Sequence, residues 1–403
     1  MNRRKLQRAS LALAIGLALG LPGVNAIAQA KPPIKVGAIL PMTGFGATYG
    51  ELFHTAVALA VDEVNAKGGV NGSQIQLVVT DDQLAAPQSV LLFRRLVSDN
   101  VVAVLGPVSG TSWENVAPIA NQMKTPALNF SAIKPGITVK PYALRTAMAS
   151  DTLAGDGIAE FVKKFPGVKR IVVTGDVQEA SGQAGMEEWK KAAAKAGLQI
   201  ADVVEYQTKT TDFAPVVSKI RSLNPDAVFT CSLVPTSLPL IKELETQRFD
   251  KPVLDCGLIT AGNFIHAVGG TMKNIYSVNI GSNEPDPDNP NREAFIKSFL
   301  KRTAEATKLP QPANVSNTSV PYDTFMLLAD IMKRKGIDGN TPAEKARELI
   351  KEGLAETKTY NGVNQIRMRD TGDGDIVGHL LQADPQAKVW RYALPPEQRN
   401  KQR

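Results

Sequence analysis

Three clusters have the residue types and spacing to do chemistry. The first is Gly44-Phe45-Gly46-Ala47-Thr48-Tyr49-Gly50, which follows an apolar run and opens a helical pattern. Closely spaced glycines let a backbone approach a ligand, and Asp81 ends the next strand-like run, where a ribose-binding acid would sit. That combination imitates the dinucleotide turn of an NAD-type dehydrogenase. No Tyr-x-x-x-Lys pair accompanies it, so one common catalytic arrangement for such a turn is missing. The competing reading is a flexible loop whose backbone faces a ligand or a partner lobe.

The second cluster is Gly106-Pro107-Val108-Ser109-Gly110-Thr111-Ser112. It leads from a strand into a helix and gathers hydroxyls and free N–H groups at a helix start. Such a start can hold an anionic oxygen, or its Ser and Thr can simply cap the helix; the sequence leaves both open. The third cluster, Asp370 to Asp375, looks like part of a calcium loop. Leu381 stands where the bidentate acid would be required, so an Asp- and Gly-rich β-turn is expected instead. His54, His266 and His379 are far apart and show no metal-ligand spacing. G-x-S-x-G, P-loop and C-x-x-C motifs are absent. The expectation is a binding protein without catalytic residues, cofactor or metal.

These clusters need elements to position them. Ile34–Leu40 reads as a strand, followed by a helix near Thr48, where Thr48 and Glu51 fit a capping box. Apolar positions at helical spacing run to Val64, and Gly68-Gly69 ends the helix. Strand–helix alternation continues to about 129 and restarts at 151, reaching Pro252–Leu254. Strands alternating with helices of ten or more residues indicate parallel sheets covered on both faces, so the fold class is α/β with two similar lobes. Long helices follow at 292–306 and 321–335. Residues 361–392 read as irregular with short strand-like runs, and the polar tail after Leu394 as frayed. Ligands of open parallel sheets bind beyond the carboxyl ends of the strands. The candidate loops are therefore 41–49, 106–113 and 130–133 in one lobe, and 175–182, 231–236 and 255–259 in the other.

The N-terminus sets the compartment. Arg3, Arg4, Lys5 and Arg8 precede an apolar run, Leu11 to Leu21, and Ala28-Gln29-Ala30 supplies small residues for cleavage. That order is a signal peptide over residues 1–30; the run is shorter than the ~20 residues of a membrane span. No Cys follows the cleavage position, so a freely diffusing periplasmic protein is expected. Removing four basic residues lowers Lys plus Arg from 46 to 42 against 39 acids, a net charge of +3. With no basic run interleaved with aromatics, nucleic-acid binding is not expected. An oxidising compartment permits a disulfide between Cys231 and Cys256; two buried thiols are the alternative.

The segments Ile34-Lys-Val-Gly-Ala-Ile-Leu-Pro41, Val61-Asp-Glu-Val-Asn-Ala-Lys-Gly-Gly-Val-Asn-Gly72, Thr80-Asp-Asp82, Leu105-Gly-Pro107 and Leu144-Arg-Thr146 resemble the type I periplasmic binding proteins of the leucine/isoleucine/valine-binding branch. These are solute receptors of ABC importers for branched-chain amino acids, amides and aromatic acids. The resemblance implies two Rossmann-like lobes joined by three crossovers, about 31–147 plus 281–360 and about 148–280 plus 361–403. It implies a ligand between closing lobes, an ABC permease as partner and a monomer. Carried over by position, the ligand-binding residues are Phe45, Tyr49, Ser109, Gly110, Thr111, Ser131, Ala132, Ile133, Ser181, Leu233 and Gly257. Gly257 stands where an acid meets the ligand ammonium in amino-acid-binding members, and Ile133, Ser181 and Leu233 replace a Thr and two Tyr. The departures imply a carboxylate with an apolar or aromatic body and no free α-amino group. A branched-chain amino acid is the alternative ligand. A sensory protein on the same fold and an exported dehydrogenase are the alternative functions.

Overall fold

The computed structural model describes residues 31–269, 273–286, 289–306 and 309–401. The expected signal peptide lies outside them. None of the described helices is long and apolar enough to cross a membrane.

The chain lays down β1 (Ile34–Leu40), α1 (Ala47–Ala66), β2 (Ile75–Asp81), α2 (Ala86–Ser98), β3 (Ala103–Leu105), α3 (Gly110–Gln122), β4 (Ala127–Asn129) and β5 (Ala143–Met148). It then crosses through α4 (Ser150–Lys164) to a second series. This comprises β6 (Arg170–Asp176), α5 (Ala180–Lys195), β7 (Gln199–Tyr206), α6 (Ala214–Ser222), β8 (Ala227–Cys231), α7 (Val234–Thr246), β9 (Val253–Asp255), α8 (Phe264–Ala267) and β10 (Ile275–Asn279). The return brings α9 (Pro290–Ala306), α10 (Ser319–Arg334), α11 (Ala343–Glu356), β11 (Thr359–Asn361), β12 (Gln365–Met368) and β13 (Asp373–Asp375). A last crossing leads to β14 (His379–Asp384) and β15 (Val389–Tyr392).

One sheet has the order β11-β12-β13-β5-β4-β3-β1-β2 and the other β15-β14-β10-β9-β8-β6-β7. The strands from the two strand–helix series pair in parallel, and antiparallel pairs join at one edge of each sheet. The chain therefore passes between sheets three times, after β5, after β10 and after β13, as expected for a two-lobed α/β fold. The expected boundary at 361 lies elsewhere: β12 and β13 pair with β11 and β5, so this segment belongs to the first sheet as far as Asp375. Residues 361–392 are also more regular than their composition indicated.

The inner parallel strands, such as β3 and β8, are buried and carry near-continuous apolar runs, as strands covered by helices on both faces must. Phe53 of α1 meets Phe130 edge to face at 5.4 Å. Trp189 of α5 packs on Phe229 and donates its indole N–H to Thr230 O at 3.1 Å. Two local expectations differ. The helix α1 already begins at Ala47, after a 3-10 turn at Gly44–Gly46, so Thr48 is a helical residue and no side chain caps the start. The tail is held, not frayed. The Arg399 guanidinium lies 3.6 Å from the centre of the Tyr392 ring, and Asn400 N–H donates to Glu160 at 2.6 Å.

Candidate functional site

The carboxyl ends of both sheets face one another across a cleft, and each lobe sends helix starts into it. On the first lobe, Gly106 has φ +86°, and a Cβ there would fall 2.4 Å from Ile39 O. Only glycine lets the chain turn this close to β1 and enter α3. Ser109 caps α3, its Oγ accepting from Ser112 N–H at 3.0 Å. On the second lobe Glu179 precedes α5, and its Oε2 accepts from Ser181 N–H at 2.7 Å and Gly182 N–H at 3.0 Å.

These two helix starts touch. Glu179 Oε1 accepts from Thr111 N–H at 3.3 Å, and Thr111 Oγ1 accepts from Ala180 N–H at 3.2 Å. One carboxylate thus serves the N-termini of α3 and α5 together, where unpaired N–H groups favour negative charge. Burial pushes the Glu179 carboxyl above its ordinary value, and the N–H groups of Gly182, Thr111 and Ser181 oppose that. Beside it, an added Cβ on Gly110 would fall 2.4 Å from Ser181 Oγ. The lobes are in van der Waals contact at this point.

A second bridge runs through Tyr49. Its hydroxyl donates to Leu258 O at 3.1 Å and accepts from Val234 N–H at 2.8 Å, both on the opposite lobe. Burial raises the phenol well above its ordinary value, so it stays neutral and can play both roles.

Two voids remain. The inner one, next to the crossovers, encloses about 30 Å³ and is lined by Ser131, Ile133, Gly257 and Asn279 among others. The outer one, at the cleft mouth, encloses about 670 Å³ and touches Phe45, Ser109, Thr111, Glu179 and Leu233. The expected site residues therefore fall into groups. Ser131, Ile133 and Gly257 line the inner void; Phe45, Ser109, Thr111 and Leu233 line the outer one. Tyr49, Gly110 and Ser181 form contacts between the lobes. Ala132 lines neither void. It is buried among Ile39, Phe93 and Trp113, and its carbonyl accepts from the Arg145 guanidinium at 2.8 Å.

Gly257 has φ +104°, and a Cβ there would fall 2.7 Å from Val278 O. No acidic side chain could take that place without moving β10. The nearest acid along the chain is Asp255, buried below the loop. Its Oδ1 accepts from Gly257 and Ile259 N–H, while Oδ2 has no partner among the described residues. Burial pushes its carboxyl up to about 7 against those hydrogen bonds. It lines neither void.

Other motifs have structural roles. Asp81 accepts from Met42, Thr43 and Gln83 N–H, which ties down the glycine loop and occupies the carboxylate a ribose would need. In the Asp-rich turn, Asp373 pairs with the buried Arg145 guanidinium at 2.7 Å. Cys231 and Cys256 are joined as a disulfide between the ends of β8 and β9, close in sequence to Leu233 and Gly257. Sequence reasoning missed Glu179, Asn279 and Lys209. An acid directly before Ala-Ser-Gly at a strand-to-helix junction was a readable cap signal for Glu179. Lys209 is the one cation among the residues lining either void, but nothing in its neighbourhood of threonines marks it.

Known proteins share this architecture. The chain is 25% identical over 349 residues to the leucine-, isoleucine-, valine-, threonine- and alanine-binding protein of Pseudomonas aeruginosa, covering 85% of this chain and 89% of that one. It is 29% identical over 357 residues to the Leu/Ile/Val-binding protein BraC3 of Rhizobium johnstonii, with the same coverage. Among solved structures, the branched-chain amino acid transporter substrate-binding protein LivJ of Streptococcus pneumoniae, in complex with isoleucine, superposes with a TM-score of 0.76 at 21% identity. The match covers 90% of this chain and all of that one. A solute-binding protein of an R. palustris ABC transporter, in complex with 4-hydroxybenzoate, gives 0.77 at 22% identity over 90% of this chain and 96% of that one. Residues 33–381 match the family described as periplasmic binding protein, and the chain belongs to that family.

Proposed function

We propose that this protein is the extracytoplasmic substrate-binding receptor of a branched-chain-amino-acid-type ABC importer. It takes a small carboxylate solute with an apolar or aromatic body between its two lobes. Closure would follow from contacts that the closed form alone makes, such as those of Tyr49, and the closed form would dock on the permease. Residues 1–30 would direct export, and the receptor would act as a monomer.

The observation that carries the ligand class is the state of the acids around the cleft. An ammonium taken out of water needs a paired acid or several acceptors. Position 257 has no room for one, and Glu179 spends its oxygens on three backbone N–H groups. The outer void instead offers Phe45, Leu84, Leu233 and two prolines with one lysine. A branched-chain amino acid is the second reading. It is favoured by what the relatives are named for.

A thermal-shift screen of aryl acids, keto acids and branched-chain amino acids separates the two. A ligand at a hundred times its dissociation constant stabilises by about 2.7 kcal/mol. Stabilisation by the acids and not by leucine or valine is expected. The reverse would establish the amino-acid reading, and no response to either group would remove the proposed ligand class.

A further inference from the structure

The inner part of the cleft holds little free space, about 30 Å³. Between the two voids Gly110 rests on Ser181, and Glu179 occupies the Thr111 N–H that an incoming carboxylate would use. The outer chamber, at about 670 Å³, falls within the ~300–1,000 Å³ typical of sites for drug-sized ligands.

The chamber has a distinct chemistry. Phe45 and Leu84 of the first lobe face Leu233, Pro235 and Pro239 of the second. Phe45 is half exposed, which is rare for a large apolar side chain among the described residues. An apolar surface shared between both lobes is covered only when something lies between them. Lys209 stands on the rim in the loop after β7 and makes no ion pair among the described residues. That loop is held in place: Thr208 Oγ1 donates to Asp176 at 2.6 Å, and Thr210 Oγ1 accepts from Gln207 N–H at 3.1 Å. Inside the chamber the acid is Glu179, whose oxygens are committed.

We infer that the ligand lies in this outer chamber and is an elongated monocarboxylate, longer than a free amino acid. Its apolar body packs between Phe45 and Leu84 on one side and Leu233 and Pro239 on the other, and its carboxylate meets Lys209. This rests on the reading of the protein as a receptor for carboxylate solutes. Glu179 sets specificity from the inner wall: it keeps a second carboxylate out, so dicarboxylates of the same length bind poorly.

Calorimetric titration of the purified protein with butanoate, hexanoate and octanoate, and with octanamide, tests this. One-to-one binding is expected, tightening ~3–4-fold for each methylene buried. Phe45→Ser flattens the dependence on length. Lys209→Gln weakens octanoate about tenfold and leaves octanamide unchanged, as removal of one charge-assisted hydrogen bond should. Both side chains are on the surface, so neither variant disturbs the core. Saturable binding of butanoate and benzoate with no gain for longer chains, or a Lys209→Gln variant with unchanged octanoate affinity, would overturn the inference while leaving the receptor reading intact. Binding of leucine with none of the fatty acids would remove the inference together with the proposed ligand class, and would favour the amino-acid reading.

Discussion

The Glu179 carboxylate and the Thr111 N–H meet across the cleft at 3.3 Å, joining the starts of two helices from opposite lobes. The same carboxylate caps its own helix through Ser181 and Gly182. Loss of the cap alone costs about 1 kcal/mol, whereas a hydrogen bond to a charged group across the lobes contributes ~1.5–3 kcal/mol. Glu179→Ala is therefore expected to shift the ligand-free protein toward an open form. Small-angle X-ray scattering would record a larger radius of gyration than for the unchanged chain. Identical scattering from the two would show that Glu179 caps α5 and does nothing more.

Tyr49 makes the other bridge, and both of its partners are backbone groups of the second lobe. Tyr49→Phe keeps the ring against Phe53 but leaves Val234 N–H and Leu258 O unpaired on closure. Each unsatisfied buried group costs ~1–3 kcal/mol. Ligand affinity should fall at least about tenfold, with the melting temperature of the ligand-free protein nearly unchanged. A large fall in melting temperature without a change in affinity would mean that Tyr49 serves the fold rather than closure.

Cys231 and Cys256 close a loop with a sequence separation of 25 and are both buried. In the chain-entropy account a loop of that size stabilises by about 3 kcal/mol. The double variant Cys231→Ala, Cys256→Ala should lose about that amount in urea unfolding. It should also bind ligand more weakly, because the bond fixes the strand ends that carry Leu233 and Gly257. Equal unfolding midpoints for the two proteins would exclude a stabilising role.

The residues explain which parts of this molecule were legible in advance. The apolar runs of β1, β8 and the helices between them read correctly because periodicity and glycine stops are local signals. The strand β10 and helix α11 went unread, and β13 has the sequence Asp-Gly-Asp, which by propensity is a turn. Its place beside β5 depends on the Arg145–Asp373 pair, 228 residues apart in sequence, and no window sees that. The same limit applies to the site. The loops were correctly placed at strand ends, since sheet topology dictates that. The division of their residues between two voids depends on Glu179 filling the centre of the cleft, and only the juxtaposition of α3 and α5 reveals it.

Asp255 gives a prediction that depends on pH. Burial raises its carboxyl to about 7 in the folded state, against ~3.9 when unfolded. Between about pH 4 and 7 the folded protein holds a proton that the unfolded chain has released. Stability from this group is therefore full below pH 4, falls as pH rises through that window, and levels off above 7. Asp255→Asn cannot titrate. Its carboxamide oxygen can still accept from Gly257 and Ile259, and its NH₂ replaces the unpartnered Oδ2. The difference in unfolding free energy, original minus variant, should drop by up to about 1.4 kcal/mol per pH unit between pH 5 and 7. Taking that difference cancels every other titrating group. A difference that stays constant from pH 5 to 8 would show that Asp255 is ionised in the folded protein throughout. Its Oδ2 would then be a buried negative charge, held only by the backbone N–H groups and Ser277 hydroxyl around Oδ1.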